Sequence, residues 1–179
     1  MRKNLFQSVC DRLKLLQKDE DGNFIVADEF DAAKAVIQHF DLWNQQLEYI
    51  EEETPFATPA VFVEFLPIAW RHQGQGVRDA TIVINLHVVT RRNAPTWNNP
   101  SPYDADALNF LDLLNAVNLC LHGFKAQYFG GLTSVQSITD NNYDELMHSI
   151  EQYSTMATDT TAAKPDRKTM ASFAIEKMQ

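Results

Sequence analysis

Two apolar runs separated by a mostly polar connector of nine residues constrain this chain more than any other feature. The first is "TPAVFVEFLPIAW", Thr58 to Trp70. The second is "ATIVINLHVVTRR", Ala80 to Arg92. In the first, Val61, Val63 and Phe65 alternate with Phe62, Glu64 and Leu66. In the second, Ile82, Ile84, Leu86 and Val88 fall on one face, while Asn85, His87 and Arg91 share the other with Val83 and Val89. Alternation of this kind, rich in β-branched residues, predicts two half-buried strands. The connector "RHQGQGVRD", Arg71 to Asp79, is polar and glycine-bearing, which suits a mobile hairpin loop between antiparallel strands.

The sheet needs something to pack against. Leu5, Phe6, Val9, Leu13 and Leu16 recur at helical spacing over residues 3–18, ahead of the turn-forming "KDEDGN". "FIVA" reads as a short extended piece. Residues 29–50 support two readings: Ala32, Ala33, Val36, Ile37, Phe40, Trp43 and Leu47 mark a helix face, and "VIQHFDLWN" suits a strand equally well. The clearest helix spans roughly 102–122, with Ser101 as N-cap, Pro102 as first residue, and Asp104 and Asp106 at the positive end of the dipole. It is apolar over much of its circumference, and Gly123 supplies a stop. "GGLTSVQSITD" and "LMHSIEQYSTMATDTT" read as two closing strands, the first half of the second suiting a helix as well. The expected fold is α+β: a mostly antiparallel sheet of about four strands with a long hairpin, packed on two or three helices. One domain covers 1–159, and 160–179 form a flexible C-terminal tail.

At 179 residues the chain suffices for one well-filled core. Its net charge of −9 argues against specific nucleic-acid binding by the surface as a whole. The charge is uneven: the last twenty residues carry a net +2, which leaves −11 on residues 1–159. No segment has the apolar length that a membrane-spanning helix needs. Cys10 and Cys120 form no CxxC pair and read as buried free thiols.

The search for chemistry finds no catalytic signature. His39, His72, His87, His122 and His148 show no ligand spacing and read as surface or edge histidines, so no metal is expected. "DEDGN" begins like a calcium loop, but its glycine sits at the fourth position and Phe30 occupies the place of the bidentate glutamate. "GQG" is too short to cradle phosphate. Glu64, Asn85 and His87, the polar residues within the strands, are expected to face solvent or a partner. The reading is of a protein that is no enzyme and takes no cofactor. Trp43, Trp70 and Trp97 lie at segment ends or in loops, where they either cap the core or anchor a protein contact.

The order of parts resembles the tail-terminator and tail-completion proteins of tailed bacteriophages. The resemblance is carried by "TPAVFVEF", "ATIVINLHVVTRR", "DADALNFLDLLNAVNLCL" and "GLTSVQSITDNNYDELMHSIEQYSTMATD", with "DLWNQQLEYIEEE" ahead of the proline-led strand. It covers about residues 1–159. The link over residues 19–50 is longer than the family's usual one, which leaves the register of the first strand open. The resemblance implies a structural protein of the tail or neck that forms a ring homo-oligomer, usually a hexamer. Such a ring caps the tail tube and joins it to the head, with the tail-tube protein and head-side neck proteins as partners and DNA passing through. It further implies a place in the virion tail or neck, and in the host cytoplasm during assembly. The subunit or tube contacts expected on this reading are Trp70, Arg71, His72, Gln73, Gln75 and Arg78 at the hairpin tip, with Trp97 and Asn98 in the loop 93–100. The competing readings are another oligomeric adaptor of a tail-like or secretion assembly, and a small-ligand-binding α+β domain.

Overall fold

The computed structural model describes residues 1–47, 56–91, 105–143 and 145–163, and of 105–107 the backbone alone. Helix α1 (Arg2–Lys14) leads into a small hairpin of β1 (Leu16–Lys18) and β2 (Phe24–Val26). Then follow β3 (His39–Leu42), β4 (Ala60–Phe65), β5 (Arg71–Gly74) and β6 (Val77–Arg91). Helix α2 (Ala105–Leu121) precedes β7 (Thr133–Asp140) and β8 (Leu146–Asp159). The main sheet has six strands in the order β3-β4-β6-β8-β7, with β5 alongside the start of β6.

The expectation of about four strands on two or three helices is therefore corrected. Among the described residues there are two helices and eight strands in two sheets. The larger sheet is mixed, because β3 pairs parallel to β4 while its other pairings are antiparallel. Alternation in the sequence does not single out β1 and β5, and it leaves β3 open between helix and strand; they have three or four residues each, too few turns of a two-residue period to register as a pattern. The first helix stops at Lys14 rather than 18. Leu16–Lys18 instead pairs with Phe24–Val26 around the Asp19 turn. In that turn the Asp19 carboxylate accepts the N–H groups of Asp21 and Asn23. Those bonds, chiefly from Asn23, hold its pKa below the ordinary carboxylate range.

The segment expected to be a loop, Arg71 to Asp79, is mostly paired strand. Arg71 lies opposite Asp79 and His72 opposite Arg78. The reversal is confined to Gln75 and Gly76, both at positive φ, which is the backbone of a tight hairpin turn matched to the twist of its strands.

The two faces of the main sheet differ. Ala80, Ile82, Ile84, Leu86 and Val88 of β6 pack with Val61, Val63 and Tyr153 beneath Leu5, Val9 and Leu13 of α1 and Leu113, Val117 and Leu121 of α2. The helices lock to each other through polar contacts: Arg12 Nε donates to the Cys120 carbonyl at 3.0 Å, and Cys120 Sγ to the Arg12 carbonyl at 3.2 Å. Both cysteines are free and buried. Burial pushes the Cys10 thiol up to about 12 and the Cys120 thiol up to about 11, so neither forms thiolate near neutrality. The opposite face carries a smaller cluster: Leu47, Ala60, Phe62, Val89 and Leu146, with Trp43, Phe56 and Tyr143 against it. No helix among the described residues covers that face.

Candidate interaction surface

Alternation along β4, β6 and β8 places Glu64, Asn85 and Gln152 side by side on the face without helices. Asn85 Nδ2 donates to Glu64 Oε2 at 2.6 Å, and Gln152 Nε2 donates to Asn85 Oδ1 at 3.0 Å. Gln136 of β7 lies opposite Gln152 and extends the row. Asn85 and Gln152 each donate to the neighbour on the next strand, so the row is a hydrogen-bonded ladder across β4, β6 and β8.

Next to this row lies a chain of titratable groups that sequence reasoning did not find. His87 and His148 are diagonal neighbours, since His87 lies opposite Ile150 and Val89 opposite His148. His87 Nε2 is 3.3 Å from Glu64 Oε2, His87 Nδ1 is 3.0 Å from His148 Nε2, and His148 Nδ1 is 3.0 Å from Asp140 Oδ2. The expectation that His87 faces solvent, and that the histidines are surface or edge residues, is corrected for these two: they are 4% and 2% exposed. Trp43 is the reason, for its ring stacks on His87 with centroids 3.8 Å apart and planes 2° from parallel. Sequence could have signalled the pair only through pairing register, which no single strand displays.

The proton count of this chain is informative. Three contacts need three protons, and two neutral imidazoles bring one each. With both carboxylates ionised, one contact is left as acceptor facing acceptor. The 3.3 Å contact between His87 and Glu64 is the longest of the three, and Glu64 already receives Asn85 there. In the neutral state His148 therefore donates to Asp140 and His87 to His148. A further proton would fall on His87 Nε2. Burial opposes it and pushes His87 down to about 4, and burial also lowers His148.

The hairpin residues singled out from sequence fall into two groups. Arg71, His72, Gln73 and Gln75 are exposed. Trp70 and Arg78 are tied into the fold. The Arg78 guanidinium lies 4.3 Å from the Trp70 ring centroid, and its Nε and Nη2 donate to Asp159 Oδ2 at 3.0 and 2.7 Å. Hydrogen bonding from Thr161, then from Arg78, holds Asp159 down to about 2. Trp43 and Trp70 thus cap the core, and Trp97, Asn98 and the proposed cap Ser101–Pro102 lie outside the described residues.

A cleft of about 500 Å³ opens on the helix side, between Lys18, Phe24, Lys34, Arg91, Phe110 and Met147. Lys18, Lys34 and Arg91 are exposed there, with Asp19 and Glu20 beside them. Among the described residues no group of three His, Cys, Asp or Glu is placed to hold a metal ion. No protein-family model matches the chain, and no curated protein matches it.

Proposed function

We propose that this chain is a ring-forming structural protein of the phage tail or neck, of the tail-terminator or tail-completion kind, which caps the tail tube and joins it to the head. The observation that carries the reading is the one-sided sheet. Helices pack on one face of β4, β6 and β8, while the other face presents the hydrogen-bonded row Glu64–Asn85–Gln152, with Gln136 of β7 opposite Gln152. Copies arranged around an axis, with helices outward, would line a channel with this face. Glu64, Asp79 and Asp140 stand on it, in a chain whose residues 1–159 carry −11. Such a lumen repels phosphate and lets DNA slide without binding.

The exposed edge of the hairpin, Arg71, His72 and Gln73, is the tube contact on this reading. The test uses tubes polymerised from a phage tail-tube protein, with length measured by electron microscopy. Added protein is expected to cap the tubes and limit their length. A triple variant, Arg71→Ala, His72→Ala and Gln73→Ala, is expected to leave the melting temperature within about 2 °C, because exposed substitutions cost little, and to lose most of the capping. Undiminished capping by the triple variant would remove the hairpin from the contact. No capping by the unaltered chain would remove the function.

A further inference from the structure

We infer that copies of this chain join edge to edge, β7 of one copy pairing antiparallel with β3 of the next, so that the main sheet runs unbroken around the assembly. The inference rests on the ring reading and names its interface. β3 and β7 are the two outer strands of the main sheet, and among the described residues neither has a partner on its outer side. Proteins commonly guard such edges with lysine or proline. Neither "HFDL" in β3 nor "TSVQSITD" in β7 contains a Lys, Arg or Pro. A bulge interrupts β7 between Ser134 and Gln136, and the ladder from Gln136 to Asp140 is regular.

Registers and directions make the two edges complementary. Following the pairs across the sheet, one row reads His39, Ala60, Val89, His148, Asp140, and another reads Asp41, Phe62, His87, Ile150, Ile138. Both edges therefore stand at the same height along the strands. β3 runs with β4 and β8, whereas β7 runs against them. Rotation about an axis parallel to the strands brings β7 beside the next β3 in antiparallel orientation. Without stagger, the row sets the imidazole of His39 opposite the carboxylate of Asp140, and Asp41 opposite Ile138. Both edges carry exposed large apolar side chains: Leu42 on β3, on the face of Val63, is 49% exposed, and Val135 and Ile138 on β7 are 56% and 42% exposed, Ile138 on the face of His87. Two different edges meeting head to tail form a heterologous contact, the kind that closes rings. A β7–β7 contact would instead be two-fold and stop at a dimer.

Disulfide trapping separates these cases in the full chain, whose own Cys10 and Cys120 are buried. Asp41→Cys and Ile138→Cys place single thiols in the same row, at a separation that antiparallel neighbours allow for a disulfide. Mixed and mildly oxidised, the two single variants are expected to give a cross-linked dimer in roughly ten-fold higher yield than either alone, because the contact raises the local thiol concentration. The double variant is expected to give a ladder of cross-linked chains that ends at the copy number of the ring. Cross-linking of Ile138→Cys with itself would overturn the inference in favour of two-fold pairing. Rings seen by electron microscopy without the mixed cross-link would overturn it while leaving the proposed function standing. Absence of both rings and cross-link would overturn both.

Discussion

Truncating Phe62 to alanine is expected to destabilise the fold by about 3–5 kcal/mol, the usual cost of removing a buried aromatic ring. Phe62 has no exposure and belongs to the small cluster on the face without helices. Its ring meets Phe56 edge-on with centroids 4.9 Å apart, and His39 and Trp43 at 5.6 and 6.1 Å. A comparable truncation in the larger core, Leu13→Ala, leaves a cavity walled by two helices and a sheet. Phe62 holds a layer one side chain thick, so its loss also frees Trp43 from the sheet and opens His87 to water. Since domains of this size are stable by about 5–15 kcal/mol, chemical denaturation should show the midpoint shift at once. The measurement is urea unfolding followed by circular dichroism, with tryptophan fluorescence as a second probe. A loss below about 1 kcal/mol would mean that this layer packs loosely.

Acid should unfold the protein through the same site. His87 has a folded-state value of about 4, against 6.5 for a free imidazole. The unfolded chain therefore binds the proton more readily, and stability rises with pH across this interval. The contribution is complete above pH 6.5 and disappears as pH falls towards 4. By the linkage relation, His87 and His148, both lowered by burial, together lose their contribution to stability over this interval. Stability against pH is expected to be much flatter in His87→Asn, which offers an amide at the position of Nδ1 and does not titrate. An unchanged slope in the variant would assign the acid sensitivity to other groups. Asp159 acts in the same sense at lower pH, since its contribution is present above about 3.8 and fades as pH approaches 2.

The long strands were legible because their chemistry repeats. Fifteen residues of β6 and fourteen of β8 give the two-residue period room to show, and both were read as strands from alternation. α2 was legible as a helix, though its predicted cap lies outside the described residues. β3 was not: its four residues sit in a stretch that fits a helical face equally well, and it becomes a strand only by pairing with β4. The hairpin residues were legible as polar and exposed, while their pairing was not, because a glycine-bearing run reads as a loop until its partner strand is known. The histidine chain was the least legible feature. Its contacts are diagonal across β6 and β8 and are roofed by Trp43 from a connection more than forty residues away. Polar residues in a strand show that one face differs from the other. They do not show whether a tryptophan returns to cover them.

The copy number of the assembled chain decides whether it closes into a ring. Native mass spectrometry of the full-length protein over a range of concentrations, with electron microscopy of the same samples, reads both mass and shape. The account predicts closed rings of a single copy number above two, six being the number that the resemblance to tail terminators implies, with a central channel. A monomer at every concentration, or a two-fold dimer without a channel, would contradict it.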